Sequence, residues 1–432
     1  MAEPSKVLEQ FNGALWRSKN SKFYSKKFFD IKEDLTSLEE IGNLPFTTKE
    51  ELREQAPFGT LCVDFDDVVE YHESFGTTGA SISTYLTSND FAKWQHEIEI
   101  SDVNFTKKDV VIIRFPYAIS DPAHIFTAAV KKCGGMVIPA SSRTVISPHT
   151  RVINLLDKLH ATIICCMPLE LIMLAETAKL LGYDPKKDFA SLRALCTAGE
   201  VLSDERKKQI EEIWGVPIYN FYGTTENGNI AYTCKCGQLH IDEDDFYVEA
   251  VDTVTGKNVK DGEQGILIVS NTTLEACPLI RYYTGDVVTL QKSKCACGRK
   301  EKILKHYGRK ENIIRIENQT FMIVDIQDAI IRAMTKELSP YFLICLTNKG
   351  LIIRLEKEEH VAEIDSDAIK AQIEKELNCT CSVEILPYNH LFDRKMLLQV
   401  NPVIKPKYVA DYRNTNNYPY TFNDMLRGYH TF

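Results

Sequence analysis

A regular alternation of short apolar runs and amphipathic runs between residues 110 and 221 constrains the fold of this chain more than any other feature. The apolar runs predict buried strands at residues 110–113, 136–138, 162–166, 192–197 and 218–221. The runs between them predict helices at residues 124–133, 151–159, 170–181 and 204–214. Strands that alternate with helices form parallel βαβ units, so this region predicts a largely buried parallel sheet with helices on its faces.

The pattern changes after Gly223, where short strand-like runs are separated by turn sequences rich in Gly and Asp. This change predicts an antiparallel β-subdomain over residues 223–307, which completes a large N-terminal domain of residues 1–307. Residues 308–400 return to mixed helix and strand patterns and predict a small α+β C-terminal domain. Residues 401–432 are rich in Asn, Pro and Tyr and predict an irregular tail. The expected fold class is therefore α/β, in two domains.

Composition excludes several classes of protein. The 432 residues carry a net charge of −9 without a long Lys/Arg block, whereas nucleic acids and anionic membranes bind a concentrated positive field. No apolar run is long enough to span a membrane, and the polar N-terminus lacks the apolar core of a signal peptide. The thirteen cysteines are odd in number and mostly scattered, which indicates reduced thiols in a cytoplasmic compartment. We expect a cytoplasmic enzyme with no nucleic-acid or membrane partner, and a homodimer is one option.

A turn rich in Gly and Thr follows the first predicted helices. Gly76 and Gly79 permit a backbone that wraps an anion, and the hydroxyl groups of Ser74, Thr77 and Thr78 add hydrogen-bond donors. The spacing differs from that of the P-loop, and no Lys follows. The turn therefore predicts either a phosphate site or a plain hairpin loop.

A second turn, Tyr222-Gly223-Thr224-Thr225-Glu226, directly follows the last predicted parallel strand. Open α/β sheets bind ligands at the carboxyl ends of such strands. There an aromatic ring can stack on a base, a hydroxyl can reach a phosphate and a carboxylate can hold Mg²⁺, although Glu226 is also compatible with a solvated loop. Further along the chain, Asp286 either accepts hydrogen bonds from a ribose or caps a turn, and Arg309 marks the domain boundary.

Taken in order, these stretches resemble the adenylate-forming acyl ligases, and specifically the phenylacetate–coenzyme A ligase branch. The resemblance begins at residues 22–24 and 44–49, passes through 74–79, 222–226 and 278–286, and ends near Lys395. Such enzymes join a carboxylate to the α-phosphate of ATP with release of pyrophosphate. A nucleophile, usually the thiol of coenzyme A, then takes the acyl group from the acyl-adenylate. The resemblance also implies that the C-terminal domain is a mobile lid.

The resemblance implies a role for each matched residue. Thr225 would meet the α-phosphate, Glu226 would bind Mg²⁺, and Lys395 in the C-terminal domain would bridge the carboxylate and the α-phosphate. The implied nucleotide-binding residues are Ser74, Gly76, Thr77, Thr78, Gly79, Gly199, Glu200, Tyr222, Gly223, Thr224, Asp286 and Arg309. Among these, Tyr222 would lie against adenine and Asp286 would hold the ribose.

Two departures from the family pattern leave the acyl acceptor open. The phosphate loop carries Ala80 where the family usually has Lys, and Asn318 stands where a Gly commonly lines the path of the thiol arm. The acceptor is therefore coenzyme A, the arm of a carrier protein, or an amine. An amine acceptor would make the chain an amide-forming synthetase. A non-catalytic nucleotide-binding scaffold is a third interpretation.

Two Cys-x-Cys-Gly units predict a structural Zn²⁺ site. Cys234 and Cys236 form one pair of thiols, and Cys295 and Cys297 form the other. Four thiolates close a tetrahedral zinc site and leave no open position for catalysis. His240 is a competing ligand, because a subset of the branch that the chain resembles has Cys near these positions beside a Leu-His-Ile stretch. A nucleic-acid-binding zinc ribbon is the alternative, which the acidic charge disfavours.

The carboxylic acid is expected to bind between the loop at residues 114–124 and the turn at residues 220–230. The candidate walls of this pocket are Phe115, Tyr117, His124, Phe221 and Ile230. These side chains suit an aromatic or apolar acid. His124 either orients the substrate carboxylate or serves the structure of its helix.

Overall fold

The computed structural model of the chain describes residues 4–74, 81–316, 318–348, 350–399 and 408–413. Its first part is helical and ends in a two-stranded antiparallel hairpin. The helices are α1 (Pro4–Ser18), α2 (Lys22–Lys27), α3 (Leu38–Asn43) and α4 (Lys49–Gln55), followed by β1 (Val68–Glu73), β2 (Ser83–Thr87) and α5 (Ser88–Glu99). A capping box between Thr48 and Glu51 fixes the start of α4, which places Lys49 in its first turn.

The alternating region folds into five parallel strands that are connected by helices. The elements are β3 (Val110–Ile113), α6 (Pro122–Lys132), β4 (Met136–Pro139), α7 (His149–Lys158), β5 (Ile163–Cys165), α8 (Pro168–Leu180), β6 (Ala194–Thr197), α9 (Asp204–Trp214) and β7 (Ile218–Thr224). The strands lie in the order β4-β3-β5-β6-β7, and each pair is parallel. The predicted α/β class is confirmed, because apolar runs between amphipathic helices are buried from both faces.

The predicted β-subdomain is not a separate sheet. Its strands are β8 (Gly228–Thr233), β9 (Leu239–Ile241), β10 (Phe246–Val251), β11 (Gln264–Asn271), β12 (Tyr282–Gln291) and β13 (Ile303–Arg309). They continue the parallel sheet into one sheet of eleven strands, because β7 pairs in parallel with β6 and antiparallel with β8. The pairing of neighbouring strands therefore changes from parallel to antiparallel at β7.

The C-terminal part has a sheet of its own. Its elements are β14 (Ile314–Ile316), β15 (Gln319–Phe321), α10 (Ile323–Ala333), β16 (Leu338–Thr347), β17 (Gly350–Lys357), α11 (Ser366–Leu377), β18 (Cys381–Leu386), α12 (Lys395–Gln399) and β19 (Val409–Asp411). The expectation of an irregular tail from residue 401 is wrong for β19, which joins β16 in parallel. Tyr408 explains this pairing, because its ring is buried and stacks on Phe342 at 5.4 Å.

The C-terminal part is docked on the helices of the large sheet. Tyr341 and Phe392 belong to one buried apolar cluster with Leu171 and Trp214. Arg394 is buried at this contact, where it pairs with Glu356 and its Nε lies 3.4 Å from Glu176 Oε1 on α8. Among the described residues, no helix combines the length and apolar character needed to cross a membrane.

Candidate active site

At β7 the sheet changes from parallel to antiparallel strand pairing. The carboxyl ends of β6 and β7 lie at this change, and we call them the edge of the sheet. Gly199 and Glu200 follow β6, and Gly199 adopts a φ of +82°. Glu200 Oε2 accepts a hydrogen bond from the backbone N–H of Leu169 at 3.2 Å, and Glu200 Oε1 accepts one from the Tyr408 hydroxyl at 2.9 Å. Open α/β sheets bind ligands outside the carboxyl ends of their parallel strands.

Three of the predicted residues meet at this edge. The Tyr222 hydroxyl on β7 donates a hydrogen bond of 2.6 Å to Asp286 Oδ2 on β12. Arg309 Nε, at the end of β13, lies 2.8 Å from Asp286 Oδ1. Asp286 and Arg309 are direct register partners across β12 and β13. We call Tyr222, Asp286 and Arg309 the carboxylate triad.

The carboxylate of the triad is buried and held ionised. Burial raises the pKa of Asp286, but His306, Arg309 and Tyr222 together lower it below its ordinary value. His306 Nε2 lies 3.7 Å from Asp286 Oδ1, and the His306 ring lies 4.9 Å from that of Tyr222. An ionised carboxylate in this position can accept hydrogen bonds from vicinal hydroxyl groups of a ligand.

The turn between β7 and β8 carries Thr224, Thr225 and Glu226. A Cβ at Gly223 would lie 2.1 Å from the carbonyl oxygen of Gly228, so the two strands approach too closely for any other residue there. The turn buries Glu226 to 5 % exposure, while the two threonines are half-buried.

Two charged residues near this turn were missed by the sequence analysis. Burial lowers the pKa of Lys49, the charge of Glu226 opposes this shift, and the charge of Arg309 adds to it. Asp121 also senses the charge of Glu226 from the start of α6. Both residues are distant from Glu226 in sequence, and a single sequence carries no signal of that proximity.

The phosphate-loop prediction falls largely outside the described residues. Gly76, Thr77, Thr78 and Gly79 are among those not described, so their role stays a prediction. Ser74 is described, and its Oγ accepts a hydrogen bond from the backbone N–H of Ile82 at 3.0 Å.

Lys395 lies apart from the carboxylate triad. It is exposed at the start of α12, and this helix contacts α7 and α8. Among the described C-terminal residues, Tyr408 contacts the edge of the sheet, because its hydroxyl donates a hydrogen bond to Glu200. In sequence, Lys405 and Lys407 immediately precede Tyr408, and the sequence analysis did not consider them.

The structure changes the predicted acid pocket. Phe115 and Phe221 are buried in one core cluster and Ile230 in another, and their place in the acid pocket stays a prediction. Phe221 lies on β7 and Ile230 on β8, whereas Phe115 follows the end of β3. His124 Nε2 donates to the Tyr117 carbonyl at 2.8 Å.

A cavity of about 840 Å³ instead opens beside the loop that follows β3. Tyr117 lines it together with residues from β1 and from the loop that follows β4. The wall residues are Glu73, Ser74, Ser81, Pro116, Tyr117, Ala118, Ile119, Pro139, Ser141, Ser142, Arg143, Thr144, Ile146 and Ser147. The lining combines hydroxyl groups, the Arg143 guanidinium and the Glu73 carboxylate with apolar side chains, so this cavity suits a ligand with both polar and apolar parts.

The cysteine pairs converge, but not as the predicted set of four thiols. Cys234, His240, Cys295 and Cys297 each offer one ligand atom, and these four atoms lie within 4.8 Å of one another. Cys236 is exposed and lies outside this set. The strand pairing of β9 and β13 brings His240 opposite Ile303, which carries His240 beside the second Cys pair. Three thiols and an imidazole form a donor set that zinc accepts.

Comparisons with known proteins agree with this geometry. Residues 76–276 match the family model described as "AMP-binding enzyme". Phenylacetate-coenzyme A ligase of Pseudomonas putida is 28% identical over 340 residues, which cover 77% of this chain and 75% of the relative. The enzyme of the same name from Escherichia coli K12 is 26% identical over 76% of this chain and 75% of its own length.

Solved structures share the fold. A crystal structure of 2-hydroxyisobutyryl-CoA ligase in the postadenylation state, with 2-HIB-AMP, aligns with a TM-score of 0.84. It is 19% identical and covers 94% of this chain and 89% of its own. The same ligase with 2-HIB-AMP and CoA in the thioesterification state aligns at 0.68, with 20% identity and coverage of 95% and 90%.

The carboxylate triad and the buried Glu226 lie on a continuous sheet of eleven strands, in a fold that these solved ligase structures share. Over residues 76–276 the chain matches the AMP-binding enzyme family, and over 76–77% of its length it is similar to phenylacetate-coenzyme A ligases.

Proposed function

We propose that this enzyme activates a carboxylic acid with ATP, releases pyrophosphate, and transfers the acyl group from the acyl-adenylate to the thiol of coenzyme A. The observation that carries the proposal is the carboxylate triad, which joins an aromatic ring, an ionised carboxylate and a guanidinium at the edge of the sheet. The curated relatives are named as coenzyme A ligases, which supports the thiol acceptor.

In this proposal the triad holds the nucleoside. Asp286 accepts hydrogen bonds from both ribose hydroxyls, and Arg309 keeps the carboxylate ionised as water leaves the site. Tyr222 lies against the adenine ring, bordered by Gly199 and Glu200. Ser74 ties the two ends of the predicted phosphate loop together through the Ile82 amide.

The turn after β7 meets the reacting phosphate. The Thr225 hydroxyl donates a hydrogen bond to the α-phosphate, and Glu226 binds Mg²⁺. Gly223 and Thr224 shape the turn. Mg²⁺ held by Glu226 would supply positive charge that reduces the repulsion between the carboxylate and the phosphate. Lys49 adds a second cation to this region, since the lowering of its pKa by burial is opposed by the charge of Glu226.

Lys395 requires a movement of the C-terminal domain, for which we propose a boundary at residue 308. In the present arrangement Arg394 anchors this domain to Glu176 on α8, and Lys395 is exposed. A rotation that releases Arg394 would turn α12 toward the sheet edge. Lys395 would then neutralise charge on the α-phosphate during the first step.

The acid is proposed to enter the 840 Å³ cavity rather than the space between Phe221 and Ile230. Ser141, Ser142 and Arg143 offer polar groups opposite the ring of Tyr117. An acid with a hydroxyl or a second polar group therefore suits this cavity better than a wholly apolar acid, which revises the sequence-based expectation.

We also propose that Cys234, His240, Cys295 and Cys297 bind one structural Zn²⁺. The ion would tie the turn after β8 to the loop between β12 and β13. All four coordination positions would be filled by the protein, so the ion would stabilise the fold without taking part in the reaction. A homodimer stays an expectation from the sequence.

A panel of hydroxylated, aryl and short aliphatic acids tests the proposed reaction. Pyrophosphate release is measured without acceptor, with coenzyme A, and with hydroxylamine. Formation of an acyl-coenzyme A thioester with at least one acid is the expected result. Pyrophosphate release with hydroxylamine but not with coenzyme A would overturn the thiol acceptor and point to an amine or a carrier protein. No release with any acid would favour the non-catalytic scaffold.

A further inference from the structure

The loop that forms one wall of the 840 Å³ cavity contains a strained residue. Ile119 adopts a φ of +64°, in the left-handed region that β-branched residues rarely enter. Its side chain is 53% exposed, so burial of the side chain does not account for the strain. Such outliers persist only when neighbouring groups hold the backbone in place.

Two donors from β1 hold this residue through its carbonyl oxygen. The backbone N–H of Glu73 donates to the Ile119 carbonyl at 3.1 Å. His72 Nδ1 lies 3.2 Å from the same oxygen. His72 thus connects β1, which leads into the predicted phosphate loop, with the loop at residues 116–121.

The second nitrogen of His72 also faces an acceptor. His72 Nε2 lies 2.9 Å from Oε2 of Glu70, two residues earlier on β1. A carbonyl oxygen and a carboxylate can only accept hydrogen bonds, so both ring nitrogens must carry protons for both contacts to form. The ring is nevertheless buried, with 3% of its surface exposed. A buried imidazolium that completes both bonds is consistent with this arrangement.

We propose that His72 is a positioning residue that acts as an imidazolium and holds the strained Ile119 loop against β1, so that the cavity keeps its shape for the acid. This inference rests on the proposed function, because it assigns the cavity to the acid. Deprotonation would leave a ring nitrogen lone pair facing an acceptor, and one of the two contacts would be lost.

The charged groups around His72 favour the imidazolium. Glu70 lies on its own strand, and Asp121 faces it from the loop before α6. The His124 ring of α6 lies 5.7 Å away. Burial lowers the pKa of His72, but Glu70 and Asp121 raise it above 6.5 overall. Thr84, its register partner on β2, does not titrate.

Asp121 connects His72 electrostatically with the turn after β7. Burial raises the pKa of Asp121 to about 6, His72 opposes that shift, and Glu226 adds to it. A histidine whose pKa is raised by folding contributes its full stability at pH values below its unfolded pKa. The contribution of His72 to stability is therefore lost as the pH rises through its folded pKa.

Nuclear magnetic resonance of the full chain labelled with ¹⁵N-histidine tests the charge directly and needs no substrate. The signal of His72 is assigned by its loss in His72→Gln, and also by its selective shift in Glu70→Gln. We expect both ring nitrogens to be protonated below a midpoint that lies above 6.5 and that Glu70→Gln lowers. A midpoint at or below 6.5, or one that Glu70→Gln leaves unchanged, would overturn the proposal, whether or not the ligase reaction is found.

Kinetics test the positioning role once an acid is known. We expect His72→Gln to raise the KM for the acid about tenfold, which matches one lost charge-assisted hydrogen bond, while the KM for ATP changes less. The wild-type KM for the acid should rise at alkaline pH, and that dependence should vanish in His72→Gln. His96→Gln, at an exposed histidine of α5, is the matched control. An unchanged pH profile in His72→Gln would contradict the inference, whereas absence of the reaction in the wild type would contradict the proposed function instead.

Discussion

The Tyr222 hydroxyl lies 2.6 Å from Asp286 Oδ2, which links β7 to β12 although three strands separate them in the sheet. The link is made above the sheet edge, and the ring of His306 on β13 lies beside it. This contact places the aromatic ring and the carboxylate of the proposed nucleoside site in one rigid unit. Its geometry therefore predicts how each residue contributes to ATP binding.

Removing the charge of Asp286 should weaken ATP binding most. We expect Asp286→Asn to raise the KM for ATP by about 10- to 100-fold, because a hydrogen bond to a charged group contributes about 1.5–3 kcal/mol. Tyr222→Phe should have a smaller effect, since it removes only the bond that orients the carboxylate. Asp261→Asn, at an exposed turn, is the control. Equal KM values for Asp286→Asn and the wild type in pyrophosphate exchange would refute the assignment.

Metal analysis distinguishes the two possible ligand sets of the cysteine cluster. We expect one zinc per chain in the wild type and in Cys236→Ser, and loss of zinc in Cys297→Ser and His240→Ala. The reason is that Cys236 lies outside the group of four converging atoms. Zinc loss in Cys236→Ser with retention in His240→Ala would restore the set of four cysteines. Wild-type protein free of zinc after expression with zinc would reject the site.

The buried Arg394 predicts a large stability effect at the domain contact. It pairs with Glu356 and lies 3.4 Å from Glu176, so Arg394→Ala leaves two buried carboxylates without their guanidinium. Breaking a buried pair in this way costs about 3–5 kcal/mol of unfolding free energy. Arg413→Ala, which removes an exposed pair with Asp411, should cost at most about 1 kcal/mol. Similar urea midpoints for the two variants would contradict the burial of Arg394.

Acid stability should depend on Asp109. Burial raises the pKa of Asp109, but hydrogen bonds from Arg193 and Thr162 lower it to about 2. A carboxyl whose folded pKa is depressed stabilises the fold above its unfolded pKa of 3.8, and this stability is lost as pH falls toward 2. The free energies of unfolding of the wild type and of Asp109→Asn should therefore differ at neutral pH and converge between pH 4 and 2. A constant difference over that range would exclude the linkage.

The role of Lys395 can be separated from that of other lysines. If the C-terminal domain rotates as proposed, Lys395→Ala should slow acid-dependent pyrophosphate exchange at least tenfold, while thioester formation from a supplied acyl-adenylate changes little. Lys405→Ala and Lys407→Ala are measured in parallel, because these residues precede Tyr408, which contacts Glu200. If exchange is slower in one of these variants and unchanged in Lys395→Ala, the role proposed for Lys395 belongs to that other lysine.

Local pattern explains which parts of the fold were predictable. The strands from Val110 to Thr224 and the helices between them follow apolar periodicity, which buried parallel sheets require, so their order was predicted. The continuity of the sheet across β7 was missed, because the pairing of β7 with β8 depends on the close approach of Gly223 and Gly228. Strand β19 was missed because its three residues lie in a polar segment and are held by the burial of Tyr408.

The candidate site was predictable where a motif fixed its residues. Tyr222, Asp286 and Arg309 were chosen from motifs, and the structure brings them together. The structure buries Phe221 and Ile230 in two core clusters. Their place in the acid pocket stays a prediction, because a sequence does not tell which face of a strand meets a cavity and which meets the core. The imidazolium of His72 was not foreseen, since its partners Glu70 and Ile119 become informative only through distances.

Pyrophosphate exchange into ATP tests the central claim most directly. The wild type, Glu226→Gln and the exposed control Glu212→Gln are compared over the panel of acids with Mg²⁺ present. The account predicts acid-dependent exchange in the wild type and in Glu212→Gln, and a rate at least a hundredfold lower in Glu226→Gln, in line with the loss of one preorganised charge contact. Equal exchange in all three proteins would contradict the proposed role of Glu226, and no exchange with any acid would contradict adenylate formation itself.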